Sequence, residues 1–277
     1  MLCLSSVAVA EPTVSVQPKV AHPGDAVLVM VRGARHVPKG TADGKPLEFF
    51  RGKAGYQALF SVPIDSPAQR IAISVDDDKT VIPVKDVDFP ETDVVVEEEY
   101  ANPPAADRDR IAEDNQAIIA AMTKHDSAPQ FTRAFRRPRG EVTSRFGEWR
   151  TFNDGHRSQH LGMDVFAREG TKVSAVNTGT VTLVRDTFLA GNVVVIAHGG
   201  GIATGYFHLS KIDVNEGDVV QAGQVIGRAG QTGRTTGPHL HLAVRVPGGF
   251  VDPAGFFKLA ISPATPVSAR RAIRRSR

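Results

Sequence analysis

The chain has 277 residues, of which 41% are hydrophobic and 23% are charged. These values are typical of a soluble globular protein and argue against a disordered or fibrous one, and the length favours two domains. The formal net charge of +3 comes from five arginines among the last eight residues, because the rest of the chain has 28 basic and 30 acidic side chains. A nearly neutral body predicts no nucleic-acid partner.

The first ten residues are mostly apolar and end in Ala8-Val9-Ala10, a pattern typical of a secretory cleavage site. We therefore expect residues 1–10 to be the remnant of a signal peptide, and the protein to be exported to the periplasm or the extracellular cell-wall space. The single cysteine, Cys3, would be lost on cleavage, which excludes disulfides and thiolate metal ligands. No later stretch has the roughly 20 apolar residues that span a bilayer, so no transmembrane segment is expected.

Residues 11–98 contain short apolar runs, such as Ala26 to Val31 and Ile71 to Val75, separated by turn signals such as Pro23-Gly24. This pattern predicts a small β-sandwich that forms an accessory domain. Residues 99–134 are predicted to be a linker with a helix between 105 and 124, because apolar residues recur there at helical spacing.

Strand patterns return from residue 135 to residue 260, so the whole chain is predicted to be mainly β. Two segments in this region, Glu169 to Ala175 and Glu216 to Ala222, share the pattern E-G-x-x-V-x-A. Such repeated strand and turn units are typical of a small antiparallel barrel built from two halves, as in lipoyl and biotinyl carrier domains. Residues 261–277 are predicted to be a basic disordered tail.

Four chemically active residues fall into two compact clusters, His160 with Asp164 and His239 with His241. On a strand, residues two apart point to the same face, so the polar residues of each cluster share one face while aliphatic residues point to the core. A straight strand would hold His160 and Asp164 about 13 Å apart, so the backbone must bend at Gly162 or form one helical turn if both bind one metal ion. This arrangement predicts a metal site.

His208 is a further candidate, because it is predicted to end a strand before a polar turn. Its link to the two clusters does not follow from spacing alone. Breaking an amide requires a base for the attacking water and a donor for the oxyanion or the leaving amine. His239 and His208 are the candidates for these two roles.

Three motifs, H-x-x-x-D at 160–164, Y-x-H-L at 206–209 and G-P-H-L-H at 237–241, resemble those of the lysostaphin-type (LytM-like) zinc endopeptidases of peptidoglycan. The resemblance runs from about Val142 to Phe257. It implies that residues 135–260 form an antiparallel β peptidase domain that resembles a duplicated lipoyl-like barrel. It further implies one zinc ion bound by His160, Asp164 and His241, and two catalytic residues, His208 and His239.

By this resemblance the chain is expected to be a zinc metalloendopeptidase that acts as a monomer on the peptide stems of peptidoglycan and hydrolyses cross-links with metal-activated water. The sequence lacks a tyrosine between Glu141 and Gln159, where some family members are thought to supply a phenol, and we expect His208 or Arg157 to take that role.

Two other functions are consistent with parts of the pattern. A non-catalytic cell-wall-binding or regulatory protein that activates wall amidases is one, although retention of all five metal-binding and catalytic groups argues against it. A lipoate or biotin carrier is the other. It requires a lysine at a hairpin tip, and Lys211 is the only lysine between Val173 and Val220 and lacks flanking methionines.

Overall fold

The computed structural model describes residues 11–124, 128–153 and 155–263. The predicted signal peptide and all but the first three residues of the predicted basic tail lie outside the described residues, so both stay predictions. Within the described ranges, no helix has the length and the apolar character needed to cross a membrane.

The N-terminal region consists of eight short strands arranged in two four-stranded sheets. The strands are β1 Thr13–Gln17, β2 Ala26–Arg32, β3 Gly40–Ala42, β4 Lys45–Pro46, β5 Phe50–Gly52, β6 Gly55–Ser61, β7 Arg70–Val75 and β8 Asp78–Pro83. The first sheet has the order β1-β2-β6-β5 and the second has the order β4-β3-β7-β8. The predicted small β-sandwich is therefore present.

Strand β2 is buried on both faces, which explains why its sequence is almost continuously apolar. Val27 and Val29 belong to the core of the sandwich, together with Ile73 of β7. Leu28 and Met30, which point the other way, belong to the core of the C-terminal region. The first sheet thus lies between two hydrophobic cores and joins the two regions of the chain.

The segment between the two four-stranded sheets and the C-terminal region begins before residue 99, where the linker was predicted to start. It contains one strand and three helical segments: β9 Glu91–Val94, α1 Glu98–Ala101, a 3-10 turn Ala105–Asp107 and α2 Arg108–Thr123. The helix predicted between 105 and 124 corresponds to the last two of these segments. In α2, the buried Asp114 pairs with Arg185 at 2.7 Å and accepts the backbone N–H of Phe188 at 2.9 Å, which ties the helix to the next region.

The C-terminal region is formed by twelve further strands and a short helix. They are β10 Val142–Ser144, β11 Trp149–Phe152, β12 His156–Gln159, β13 Met163–Phe166, β14 Lys172–Ser174, β15 Gly179–Thr187, β16 Gly191–Gly199, β17 Ile202–Ile212, β18 Val219–Val220, β19 Val225–Ala229, β20 His239–Val246, β21 Gly249–Val251 and α3 Pro253–Phe256. The prediction of a mainly β fold is confirmed.

One large sheet positions most of these strands in the order β10-β13-β20-β17-β16-β15-β18, with β14, β19 and β21 attached beside it. The two E-G-x-x-V-x-A segments occupy equivalent places, because each makes a turn at a glycine with positive φ, Gly170 or Gly217, and then enters a short strand. The hairpin β11–β12 is not part of this sheet. It forms a separate three-stranded sheet with β9, in which β11 and β9 are parallel.

The two faces of the large sheet pack against different partners. Ile196, Tyr206 and Leu242 point into the main core, which includes residues of the first N-terminal sheet. Phe207 and Ala243 point to the opposite face, where helix α2 packs. Because alternate residues of β20 share a face, the two histidines at its start lie on the same side of the sheet as α2.

On the core side of the sheet, His198 is completely buried and has a polar partner at each ring nitrogen. Its Nδ1–H donates to the Thr178 carbonyl at 2.9 Å, and its Nε2 lies 2.8 Å from Thr204 Oγ1, which is 3.1 Å from the Tyr206 hydroxyl. Burial lowers the pKa of His198 to about 4. The ring is therefore neutral in the folded protein at physiological pH.

This buried imidazole predicts acid sensitivity of the fold. The unfolded chain takes up the proton near pH 6.5 and the folded protein only near pH 4, so the contribution to stability is complete above pH 6.5 and is lost as the pH falls towards 4. The loss should reach roughly 3 kcal/mol. Chemical denaturation of metal-free protein between pH 4 and 7 measures it, and His198→Gln should flatten the slope; an unchanged slope would contradict the assignment.

Candidate active site

Asp164 and His241 lie directly opposite each other on the paired strands β13 and β20. His241 Nδ1 is 2.8 Å from Asp164 Oδ1 and 2.8 Å from His160 Nε2, and His160 Nε2 is 3.1 Å from Asp164 Oδ1. These three atoms therefore form a compact triangle. Among the described residues, this group has the side chains and the spacing that could hold a metal ion.

His160 reaches the triangle because the chain bends at Gly162, just before β13 begins. The bend does not depend on a left-handed backbone conformation, since Gly162 is not among the glycines with positive φ. What the position requires is space. A Cβ at residue 162 would lie 2.5 Å from the His241 ring and 2.8 Å from the Leu242 carbonyl oxygen.

The tautomer of His160 is fixed by the backbone. Its Nδ1–H donates to the Arg145 carbonyl at 2.8 Å, which leaves the lone pair of Nε2 directed at Asp164 and His241. The backbone of His160 is also held, because its N–H donates to the Glu148 carbonyl and its carbonyl accepts from Gly147. Such hydrogen bonds to the far nitrogen orient metal-binding imidazoles in many proteins.

Arg150 holds the second oxygen of the carboxylate and was missed by the sequence analysis. Its Nη2 donates to Asp164 Oδ2 at 2.6 Å and to Ser144 Oγ at 2.6 Å, while its Nε donates to Glu148 Oε2 at 3.1 Å. Ser144 also donates to the Glu148 carboxylate. No motif signals this residue, because it lies on β11, outside the strands that bear the clusters.

His208 lies inside β17 and not at a strand end, so that part of the prediction was wrong. Between the paired positions Asn192–Leu209 and Val194–Tyr206, β17 has one extra residue, a β-bulge, and His208 takes a φ of 59° there. In regular alternation His208 would share the core-facing side with Tyr206. The bulge instead leaves Tyr206 and Leu209 in the core and turns His208 towards the other histidines.

His208 and His239 use the same kind of anchor. His208 Nδ1–H donates to the Thr232 carbonyl at 2.8 Å, and His239 Nδ1–H donates to the Gly237 carbonyl at 2.7 Å. Both Nε2 lone pairs are thereby left available. The ring centroids are 5.0 Å apart, and His239 Nε2 is 3.6 Å from Asp164 Oδ1. One loop, residues 231–237, therefore orients both rings.

The charges of the site suit a divalent cation. Burial lowers the pKa of His241 to about 4, and burial together with the charges of His239 and His241 lowers that of His208 to about 3. Although burial alone would raise it, hydrogen bonds with His160 and His241 hold the pKa of Asp164 well below its usual range. At neutral pH Asp164 is thus a carboxylate, and His208 and His241 are neutral imidazoles.

Zinc fits this donor set. Ligand atoms about 2.0–2.1 Å from a tetrahedral zinc ion lie roughly 3.3 Å from one another, close to the observed separations of 2.8 to 3.1 Å. Three acceptor atoms directed at one point would repel one another without a cation or a shared proton. The structure thus brings all five predicted residues together, and their individual roles stay predictions.

A cavity of about 670 Å³ lies beside the loop that anchors the two histidines. Thr232 and Gly237, whose carbonyls hold His208 and His239, form part of its wall. Other lining residues come from the segments 95–110 and 186–188, and include Glu97, Tyr100 and Phe188. The cavity is therefore bounded by the same loop that orients His208 and His239.

Two other residues considered from the sequence have partners elsewhere. Arg157 pairs with Glu91 and stacks on Trp149, with its guanidinium carbon 4.4 Å from the ring centroid. These contacts give it no part in the cluster, so His208 remains the candidate to replace the missing phenol. Lys211 lies within β17 and pairs with Asp213 at 2.6 Å, which gives no support to a carrier domain.

The contact between residue 162 and His241 predicts that Gly162→Ala displaces the imidazole and weakens metal binding about ten- to a hundredfold. Zinc affinity measured by chelator competition tests this. Gly237→Ala is the matched control, because a Cβ there meets nothing within 4 Å and its zinc affinity should match that of the unmodified protein. Equal affinities of both variants would refute the steric explanation.

Removal of the guanidinium in Arg150→Met should free the Asp164 carboxylate to rotate and lower zinc affinity, again about ten- to a hundredfold. Arg185→Met is the control, because it also breaks an arginine pair with a buried aspartate, Asp114, but on helix α2. The control should lose stability without losing zinc affinity. A loss of zinc affinity in both variants would show only general destabilisation.

Comparison with known proteins supports the resemblance. The model of peptidase family M23 matches residues 158–253. Over 89 residues the chain is 48% identical to the peptidoglycan DD-endopeptidase ShyA of Vibrio cholerae. The aligned segment covers 32% of this chain and 21% of that protein. Lysostaphin of Staphylococcus simulans is 40% identical over 84 residues, or 30% of this chain and 17% of lysostaphin. The chain thus spans about a fifth of the length of these curated relatives.

A crystal structure from Pseudomonas aeruginosa that is assigned to peptidase M23 extends the similarity to the N-terminal region. It has a TM-score of 0.64 and 27% sequence identity, and the match covers 85% of this chain and 94% of that one. The resemblance to lysostaphin-type endopeptidases, inferred from the three motifs, is confirmed by these comparisons. Residues 158–253 of this chain therefore resemble the peptidase domain of family M23.

Proposed function

We propose that this protein is a zinc-dependent endopeptidase that hydrolyses the peptide cross-links of bacterial peptidoglycan. The observation that carries the proposal is the triangle of His160 Nε2, Asp164 Oδ1 and His241 Nδ1, with two further imidazoles anchored beside it. Two imidazoles and one carboxylate form a donor set that leaves a fourth position open, as in catalytic zinc sites.

His160, Asp164 and His241 would hold the metal. When bound, zinc supplies Lewis acidity, which makes water more acidic and polarises a carbonyl oxygen. The protein contributes the orientation of the three ligands: Arg145 fixes the His160 ring, Arg150 fixes the carboxylate, and the pairing of β13 with β20 fixes His241. All five groups come from one chain, so the proposal needs no second copy, which agrees with the expected monomer.

The two remaining histidines would act on the attacking water, one by proton transfer and the other by positioning. Nδ1 of His239 is engaged by Gly237, so its Nε2, 3.6 Å from Asp164 Oδ1, is free to accept a proton from the attacking water and to pass it to the leaving amine. His208 stays neutral at physiological pH, because burial lowers its pKa to about 3. We assign the base to His239 and the positioning of water and substrate to His208.

Several findings favour peptidoglycan as the substrate. The name of the Vibrio cholerae relative, which shares 48% identity over the matched segment, describes a peptidoglycan endopeptidase. The cavity beside the loop that anchors His208 and His239 has a volume of about 670 Å³, which is room for part of an extended peptide. Action on the cell wall requires export, so the proposal includes the periplasm or the extracellular wall space as its location, in agreement with the small-x-small pattern at Ala8-Val9-Ala10.

The roles of the histidines predict different effects of two substitutions. His241→Ala should abolish both stoichiometric zinc binding and hydrolysis, because it removes a ligand. His208→Ala should lower hydrolysis by about a hundredfold or more while zinc stays bound. Zinc content by atomic spectroscopy and mass spectrometry of fragments released from purified peptidoglycan measure the two effects.

His36→Ala is the control for these variants, since this exposed histidine contacts Asp76 in the N-terminal region, and both zinc content and hydrolysis should be unchanged. Loss of zinc in His208→Ala would overturn the assigned roles. If zinc-loaded protein released no fragments but stimulated a wall amidase, the regulatory alternative would replace the endopeptidase.

A further inference from the structure

Arg234 lies in the loop that orients the two catalytic histidines. In the described part of the chain its guanidinium makes no ion pair, and its contact is with the Phe152 ring, 4.0 Å from the guanidinium carbon. The two arginines of the neighbouring hairpin β11–β12 are neutralised, Arg150 by Asp164 and Glu148 and Arg157 by Glu91. Arg234 differs from both in this respect.

The position of Arg234 is fixed by the loop. Its backbone N–H donates to the Leu189 carbonyl at 2.8 Å. Thr232 Oγ1 accepts the N–H of Asn192 and donates to the Leu209 carbonyl, both at 3.0 Å. The same loop supplies the Thr232 and Gly237 carbonyls that hold His208 and His239. A charge carried by this loop is therefore held at a constant position relative to the catalytic rings.

The surroundings of Arg234 make an unpaired charge costly. Burial, and to a lesser extent the charge of Arg150, lower its pKa to about 10, so it is still a cation at neutral pH. Arg150 and Phe152 are two residues apart on β11, so their side chains share one face of the strand. Because the Arg234 guanidinium packs over the Phe152 ring, it lies on the same side of β11 as Arg150. A half-buried cation next to another cation favours the approach of an anion.

We propose that Arg234 binds a free carboxylate of the peptide stem close to the scissile bond, and so selects substrates that carry one. This inference rests on the proposed endopeptidase function. The planar guanidinium matches a carboxylate with two parallel hydrogen bonds, and the Phe152 ring restricts its orientation before substrate arrives. Peptide stems offer such a group in two places, at the chain end or on the diamino acid of the cross-link.

The test compares substrates that differ only in this group. Zinc-loaded protein is given a cross-linked stem dimer with a free carboxylate on the cross-linking residue, and the same dimer with a carboxamide there. The unmodified protein should cleave the acid with a kcat/KM about ten- to a hundredfold higher than the amide. In Arg234→Gln, the ratio of kcat/KM for the acid to that for the amide should fall close to one, because cleavage of the acid becomes slower. Arg234→Lys should retain part of the preference for the acid.

The controls separate recognition from folding and from the proposed function. Arg157→Gln removes a ring-stacked arginine that has its own carboxylate, and the ratio should be unchanged. A second pair of substrates, uncross-linked stems that end in a carboxylate or in a carboxamide, shows which of the two carboxylates is bound. Faster cleavage of the acid than of the amide in either pair supports the proposal. Equal cleavage of acid and amide by the unmodified protein, or a full ratio in Arg234→Gln, overturns it. Cleavage of neither substrate refutes the endopeptidase and this inference with it.

Discussion

The structure of the site depends on one cross-strand pair, Asp164 of β13 opposite His241 of β20. Antiparallel pairing brings side chains on the same face to within contact distance, so a carboxylate and an imidazole separated by 77 residues in the sequence meet without any loop to position them. His160 then needs only the bend at Gly162 to join them. A metal site built on paired strands is rigid, which keeps the separation of its ligands constant.

The two histidines that do not join the triangle are placed by irregular structure. A bulge turns His208 out of the core, and a loop of glycine and threonine residues provides the carbonyls that set both tautomers. Regular sheet geometry could not do this, because strict alternation would bury His208 beside Tyr206. The candidate metal site thus lies on the regular part of the sheet. His208 and His239 lie where the structure departs from regular pairing, and a few backbone hydrogen bonds decide which of their ring nitrogens is free.

The same distinction separates what the sequence could predict from what it could not. Alternation predicted the faces of Asp164, His239 and His241, and the apolar runs predicted the sandwich. The bulge at His208 could not be predicted from the alternation of apolar and polar residues along the strand, because it adds one residue without a change of composition. Arg150 and Arg234 act across hairpins and loops, so no spacing along the chain signals their contacts. The apolar run of β2 predicted a strand but not that its two faces serve different cores.

The segment that follows the N-terminal region supports the candidate metal site through the hairpin that carries Arg150. Strand β9 pairs in parallel with β11, and Thr92 donates to Glu148, the carboxylate that also accepts from Arg150. Glu91 binds Arg157 on the other strand of the hairpin. Since Arg150 in turn binds Asp164, a chain of contacts runs from β9 to the candidate metal site. Because β2 also shares the main core, the accessory region is part of the framework that holds the ligands and not a separate attachment.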